Sequence, residues 1–171
     1  EFGGVSEGID VWHGIILNEE MARIAVGGVA ATLMVHGIGL PPVINFGSDE
    51  IKQMVAPPVL AGTKRISLAI TEPGGGSDVA QLQTTALLDG DHYVVNGSKT
   101  YITGGMNANW FTTAVRTGGE GSGGVSTLLI PADAEGVSRT ALDKKQGWWC
   151  SDTATIYFDN VRVPVGNLLG Q

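Results

Sequence analysis

Apolar residues recur with helical spacing from Val11 to about Val35, through Trp12, Ile15, Ile16, Met21, Ile24, Ala25 and Val29, and predict a long amphipathic helix. Asp10 reads as its N-cap, and Gly37 and Gly39 as its stop. The polar face is thin, with Asn18, Glu19, Glu20 and Arg23, so the helix is expected to be buried on most sides. Pro41-Pro42 breaks the chain. Ser48-Asp49-Glu50 then opens a second helix that runs to about Leu60, with acids in its first turn as the helix dipole prefers. After Ala61-Gly62-Thr63 the period changes from that of a helix to the alternation of strands, which divides the chain into a helical part, 1–61, and a β part, 62–171.

Strand patterns in the β part cover Ile66 to Thr71, Gln81 to Leu88, His92 to Val95, Lys99 to Thr103, Trp110 to Arg116, Val125 to Ile130, Val137 to Thr140 and Thr153 to Val163. Asp89-Gly90-Asp91 and Asn96-Gly97 read as turns. The segment after Asp78 alternates as a strand does, so no helix N-terminus is expected there. Nothing alternates strand with helix, which argues against a doubly wound sheet. The predicted class is α+β, with helices followed by an antiparallel meander closing into a small barrel or sandwich.

Composition narrows the function classes. Seventeen acidic against 10 basic residues give a net charge of −7, which disfavours nucleic acid as a partner. With 43% hydrophobic residues and no apolar run read as long enough to span a bilayer, a soluble, packed protein is expected. The opening Glu1-Phe2-Gly3-Gly4 shows no secretory signal, and the lone Cys150 reads as a small core residue in a reducing compartment. Glycine is in excess, at 26 residues, and clusters between strand patterns as turn punctuation.

The candidate chemistry lies at two strand ends. Ile66 to Thr71 stops at Glu72-Pro73-Gly74-Gly75-Gly76-Ser77-Asp78. Pro73 fixes the exit direction, the glycines permit positive φ and let a ligand approach the backbone, Ser77 offers a hydroxyl, and Asp78 can tie the loop through backbone amides. The spacing is neither a dinucleotide fingerprint nor a P-loop, which needs a Lys before its Ser or Thr. Lys99 to Thr103 ends likewise, at Gly104-Gly105. Side by side, the two ends would give a planar ligand the face of Tyr101 and the hydroxyls of Thr71 and Thr103. Glu72, held beside a proline, reads as a loop-holding residue, and His13 and His36 as packing or capping residues.

The stretch Ala69 to Asp78 closely resembles the signature of the acyl-CoA dehydrogenase family. Asn96-Gly97 through Thr103 is similar to the second flavin-contacting segment of that family. Lys145 to Trp149, Ser151-Asp152-Thr153 and Phe158 to Pro164 resemble its closing strands. The resemblance implies that Leu68, Ala69, Ile70, Thr71, Gly76 and Ser77 contact FAD, with Thr71 on the pyrimidine side of the flavin. Ser77 would meet the pyrophosphate or lie beside the thioester of an acyl-CoA substrate. Tyr101 stands where the family usually has Trp, beside Ile102, and Thr103 stands where a hydroxyl faces the reactive flavin nitrogen. Gln81 departs from a usually small residue at the edge of the signature.

The resemblance further implies electron-transfer flavoprotein as acceptor, a homo-oligomer, and a bacterial cytoplasmic or mitochondrial-matrix location. Members are more than twice this long, with the base, a Glu, in a C-terminal helical bundle. The chain is therefore expected to be a fragment that starts within the first helical domain, stops at Leu169-Gly170-Gln171 and is inactive alone. An acyl-CoA oxidase would share these motifs. A reading from another class is an inert β module that self-associates through the apolar helix.

Overall fold

The computed structural model describes residue 2 and residues 7–170, so most of the opening Glu1-Phe2-Gly3-Gly4 and the final Gln171 lie outside the described residues. Asp10 caps the first helix as expected, its Oδ1 accepting from the amides of Trp12 (3.0 Å) and His13 (3.3 Å) while the His13 ring accepts from the Asp10 amide. The helix is shorter than its apolar pattern. It breaks into α1 (Val11–Arg23) and α2 (Gly27–Met34), because Ala25 takes a left-handed φ of 56°. No residue of α1 is buried, and Val11 and Trp12 are 71% and 64% exposed. Its apolar residues encircle the helix, and the described elements cover none of them fully. Gly37 and Gly39 do not stop the helical run either, since both lie within α3 (His36–Gly39). Gly39 is small so that β1 can approach, a Cβ there lying 3.2 Å from the Ile66 carbonyl oxygen.

Pro41 and Pro42 open α4 (Pro41–Phe46), where the missing amides of a first turn cost nothing. The 20 residues Gly27–Phe46 are long and apolar enough, by length and composition, to cross a membrane, so the expected lack of any such run does not hold by that measure. Here they form three short helices, and Leu40 and Val43 are buried against α5 (Asp49–Leu60) and the sheet. The Ser48 hydroxyl caps α5 by accepting from the Ile51 amide.

The sheet holds β1 (Ile66–Ala69), β2 (Thr85–Asp89), β3 (His92–Thr103), β4 (Trp110–Arg116), β5 (Val125–Pro131), β6 (Val137–Ala141), β7 (Thr153–Pro164) and β8 (Leu168–Leu169). Its order is β6-β7-β3-β2-β4-β5-β8, with β1 pairing β4 in parallel. Most pairings are antiparallel, but β2 also meets β4 in parallel at Thr85 and Arg116, so the path is not a simple meander. Two strand expectations shorten: β1 ends at Ala69, and Val79–Gln81 is a 3₁₀ turn with β2 starting only at Thr85.

Asn96-Gly97 is no turn. β3 runs through it as one 12-residue strand, with register shifts against β7 between Val95 and Gly97 and between Lys99 and Ile102. At the first shift the Asn160 amide and side chain bond the Asn96 side chain, which knits the irregularity across both strands. Gly97 has φ 143°, and a Cβ there would lie 2.7 Å from Thr84 Oγ1 and 2.8 Å from its Cα. Gly97→Ala is expected to lose about 1–3 kcal/mol, read as a lower urea midpoint at unchanged slope.

Side chains alternate between two cores. Leu128 and Ile130 join Val95, Ile102, Phe111, Ile156 and Val161 inside the strands, while Leu129 joins Val43, Val55, Val59 and Ile66 under the helices. The sheet is thereby clamped on its helical side, and the candidate strand ends follow β1 and close β3.

Candidate functional site

Past Ala69 the chain runs through Ile70 and Thr71 into a tight turn, in which the Glu72 amide donates to the Gly75 carbonyl (2.9 Å) and the Gly75 amide returns a bond to Glu72 (3.1 Å). Gly74, Gly75 and Gly76 do not use positive φ, contrary to expectation. Gly76 is required for space instead, since a Cβ there would meet the Thr71 side chain at 3.0 to 3.1 Å.

Glu72 does the tying expected of Asp78. Its Oε2 accepts from the Gln83 amide (2.7 Å) and its Oε1 from the Thr84 amide (2.8 Å) and the Lys99 ammonium (2.9 Å). Burial by itself would raise this carboxyl, but the bonds from Thr84, Lys99 and Gln83 prevail and hold it below a glutamate's usual value. Glu72 is thus an ionised strut, as the loop-holding reading expects. Lys99 is fully buried and also donates to the Ile70 carbonyl (3.0 Å). Burial pushes its ammonium below lysine's ordinary value, with Glu72 opposing the shift. Sequence reasoning passed over Lys99; the available signal was a lysine one residue from Thr100, in a strand whose neighbouring turn already carried a glutamate.

The two strand ends lie side by side. The Thr100 amide donates to the Thr71 carbonyl at 2.8 Å, one residue before Tyr101. Tyr101 occupies the second register shift of β3 with φ 58°, an uncommon conformation for a bulky residue, and is 67% exposed. Thr71 and Thr103 are half-buried, and among the described residues neither hydroxyl joins a side-chain hydrogen bond. Ala69 and Ile102 are buried in the inner core, so only their backbone remains to face a ligand. Leu68, Ile70 and Gly76 are half-buried, and Ser77 is exposed.

Cavities flank this ledge. One of about 510 Å³ opens where Thr153, the β7 partner of Thr103, meets Thr32, Asn107, Lys145 and Trp149. The Ser151 hydroxyl, 1% exposed and without a partner among the described residues, also lines it. A second, of about 290 Å³, lies against Glu72, Gly74, Asp78 and Gln83. Cys150 is exposed instead of packed in a core: it lies in a turn outside the sheet, beside α2, where a Cβ on Gly28 would lie 2.7 Å from its Sγ.

Comparison with known proteins bears on this arrangement. The family model described as acyl-CoA dehydrogenase, N-terminal domain matches residues 1–63, and that described as acyl-CoA dehydrogenase, middle domain matches residues 67–161. An acyl-CoA dehydrogenase of Alternaria alternata is 44% identical over 163 residues, covering 95% of this chain and 38% of the relative. A crystal structure of a probable acyl-CoA dehydrogenase from Mycobacterium abscessus superposes with a TM-score of 0.83 at 52% identity, over 85% of this chain and 39% of that one. A Bacillus anthracis acyl-CoA dehydrogenase, solved in complex with FAD, gives a TM-score of 0.89 at 38% identity, over 99% of this chain and 29% of that one. The chain thus spans well under half the length of these relatives. Both domain models match in chain order, and the middle-domain match begins at Ser67, on the strand that leads into the glycine turn: this chain belongs to the acyl-CoA dehydrogenase family.

Proposed function

We propose that the chain is the flavin- and substrate-contacting part of an acyl-CoA dehydrogenase, with 1–61 as the end of a helical domain and 62–171 as the β domain that meets both ligands. The observation that carries this is the joined pair of strand ends, bound through Thr100 and Thr71, with an exposed aromatic ring and two unengaged hydroxyls beside them. An isoalloxazine has an apolar face and a polar edge, and this ledge has the complement of each.

Thr71 would hold the pyrimidine edge, Tyr101 would support the ring face, and Thr103 would donate toward the redox-active side. The backbone from Leu68 to Ile70 and at Ile102 would border the ring, with Gly76 leaving room for the Thr71 side chain that would meet it. Ser77 meets the pyrophosphate or the thioester end of the acyl-CoA. Bound there, FAD supplies the hydride acceptor for α,β-dehydrogenation of an acyl-CoA thioester to its trans-2-enoyl product. Glu72 is committed to Gln83, Thr84 and Lys99, so proton removal falls to a carboxylate elsewhere in the longer enzyme, and the chain alone is inactive. Electron-transfer flavoprotein as acceptor, homo-oligomeric assembly and a cytoplasmic or mitochondrial-matrix location complete the reading.

Titration of the purified chain with FAD, followed by flavin fluorescence, tests it. Thr71→Val with Thr103→Val is expected to weaken binding about tenfold to a hundredfold, as two hydrogen bonds of about 0.5–1.5 kcal/mol each allow. Equal binding by both proteins would remove these hydroxyls from the site, and no binding by the native chain would overturn the reading for this chain.

A further inference from the structure

A lysine and a glutamate placed entirely inside a fold are costly, and well-packed apolar residues of similar size are often as stable or more so. The pair Lys99 and Glu72 is 0% and 9% exposed in its side chains, at 2.9 Å. It sits at the one place where both strand ends of the candidate site converge. Lys99 Nζ reaches the carbonyl of Ile70, next to Thr71 in the chain, and Lys99 itself stands two residues before Tyr101. The carboxylate takes two backbone amides from the opposite side, at Gln83 and Thr84. Both charges are thus fixed in position, the ammonium out of contact with solvent and the carboxylate beside the cavity of about 290 Å³.

Building on the flavin-site reading, we infer that Lys99 and Glu72 are positioning residues that also set the electron affinity of the bound flavin, by presenting a buried cation balanced by a buried anion where the two strand ends meet. Reduction adds negative charge to the flavin. A fixed cation at short range favours the reduced form and a fixed anion opposes it, and at low effective dielectric each acts strongly. The native pair nearly cancels. Removing one partner unmasks the other, and the two removals act with opposite sign. A pair that served stability alone would not behave so: either loss would loosen the same turn and move the flavin in the same direction.

The test equilibrates the FAD-loaded native chain, Glu72→Gln, Lys99→Met and the double variant with a redox dye across a series of pH values below 7, because burial pushes the Lys99 ammonium down and Glu72→Gln removes the group that opposes that shift, and reads the ratio of reduced to oxidised flavin at the acid end, where the lysine is most charged. Glu72→Gln is expected to raise that ratio on the order of tenfold and Lys99→Met to lower it by a similar factor, as one uncompensated charge in a partly desolvated site does. The double variant is expected to return toward the native ratio. Shifts of the same sign, or none, in variants that still bind FAD would overturn the inference while leaving the flavin site in place. Failure of the native chain to bind FAD would bring down both. Should Lys99→Met not fold, Glu72→Gln decides alone, because it preserves shape while unmasking the cation, and a ratio equal to or below native then counts against the proposal.

Discussion

Glu72→Ala is expected to lower folding stability by about 3–5 kcal/mol, the largest loss from any single change in the glycine turn. Three donors converge on this carboxylate: two backbone amides and an ammonium that is fully buried. Truncation strands all of them. The amides of Gln83 and Thr84 lose their acceptor, and Lys99 keeps only the Ile70 carbonyl. The loss depends on pH with a definite sign. The carboxyl is held below a glutamate's ordinary 4.5, so its contribution is present in full above about that pH and disappears as pH falls through the lower value of the folded protein. Urea unfolding at pH 7 and at pH 3 checks this. The gap between native and variant proteins should be wider at the first pH than at the second; an equal gap at both would mean that packing, not charge, holds the turn.

Phe111→Ala is expected to lose about 3–5 kcal/mol as well, by a different mechanism. Phe111 is fully buried at the second position of β4, in register with Ser67 of β1 on one side and Ile130 of β5 on the other. No neighbouring segment is free to collapse into the space, because β4 is paired on both flanks. The Arg139 guanidinium, 5.9 Å from the ring centroid, would also lose its aromatic partner while still bonding the carbonyls of Gly105, Met106, Ala108 and Ala132. Denaturant unfolding should show a lower midpoint at unchanged slope, and a small hydrophobic probe should bind the variant more strongly than the native chain.

Local signals carried much of this fold, and long-range ones did not. The caps at Asp10 and Ser48, the turn at Gly90 and the alternation along β7 are properties of neighbouring residues, and the structure has them. The break at Ala25 comes just before a close approach from far along the chain, where Gly27 and Gly28 lie against Trp148 and Cys150, and no local pattern records it. Asn96-Gly97 carries the composition of a turn, but pairing with β7 on one side and β2 on the other keeps the strand extended and turns the dipeptide into an irregularity. At the candidate site the motif residues were visible as a pattern of hydroxyls and glycines. What joins the two halves, the Lys99 and Glu72 pair and the amide of Thr100, spans 27 and 29 residues of separation and leaves no periodic trace.

The side-chain clasp between Asn96 and Asn160 has a chemical consequence. Asparagine followed by glycine is the dipeptide most prone to spontaneous loss of ammonia, through attack of the next backbone nitrogen on the side-chain carbonyl. With Asn96 Oδ1 accepting from Asn160 and its residue locked in a paired strand, that attack geometry is withheld while the chain stays folded. Aspartate or isoaspartate accumulating at position 96 would therefore act as a clock for the time each molecule has spent open.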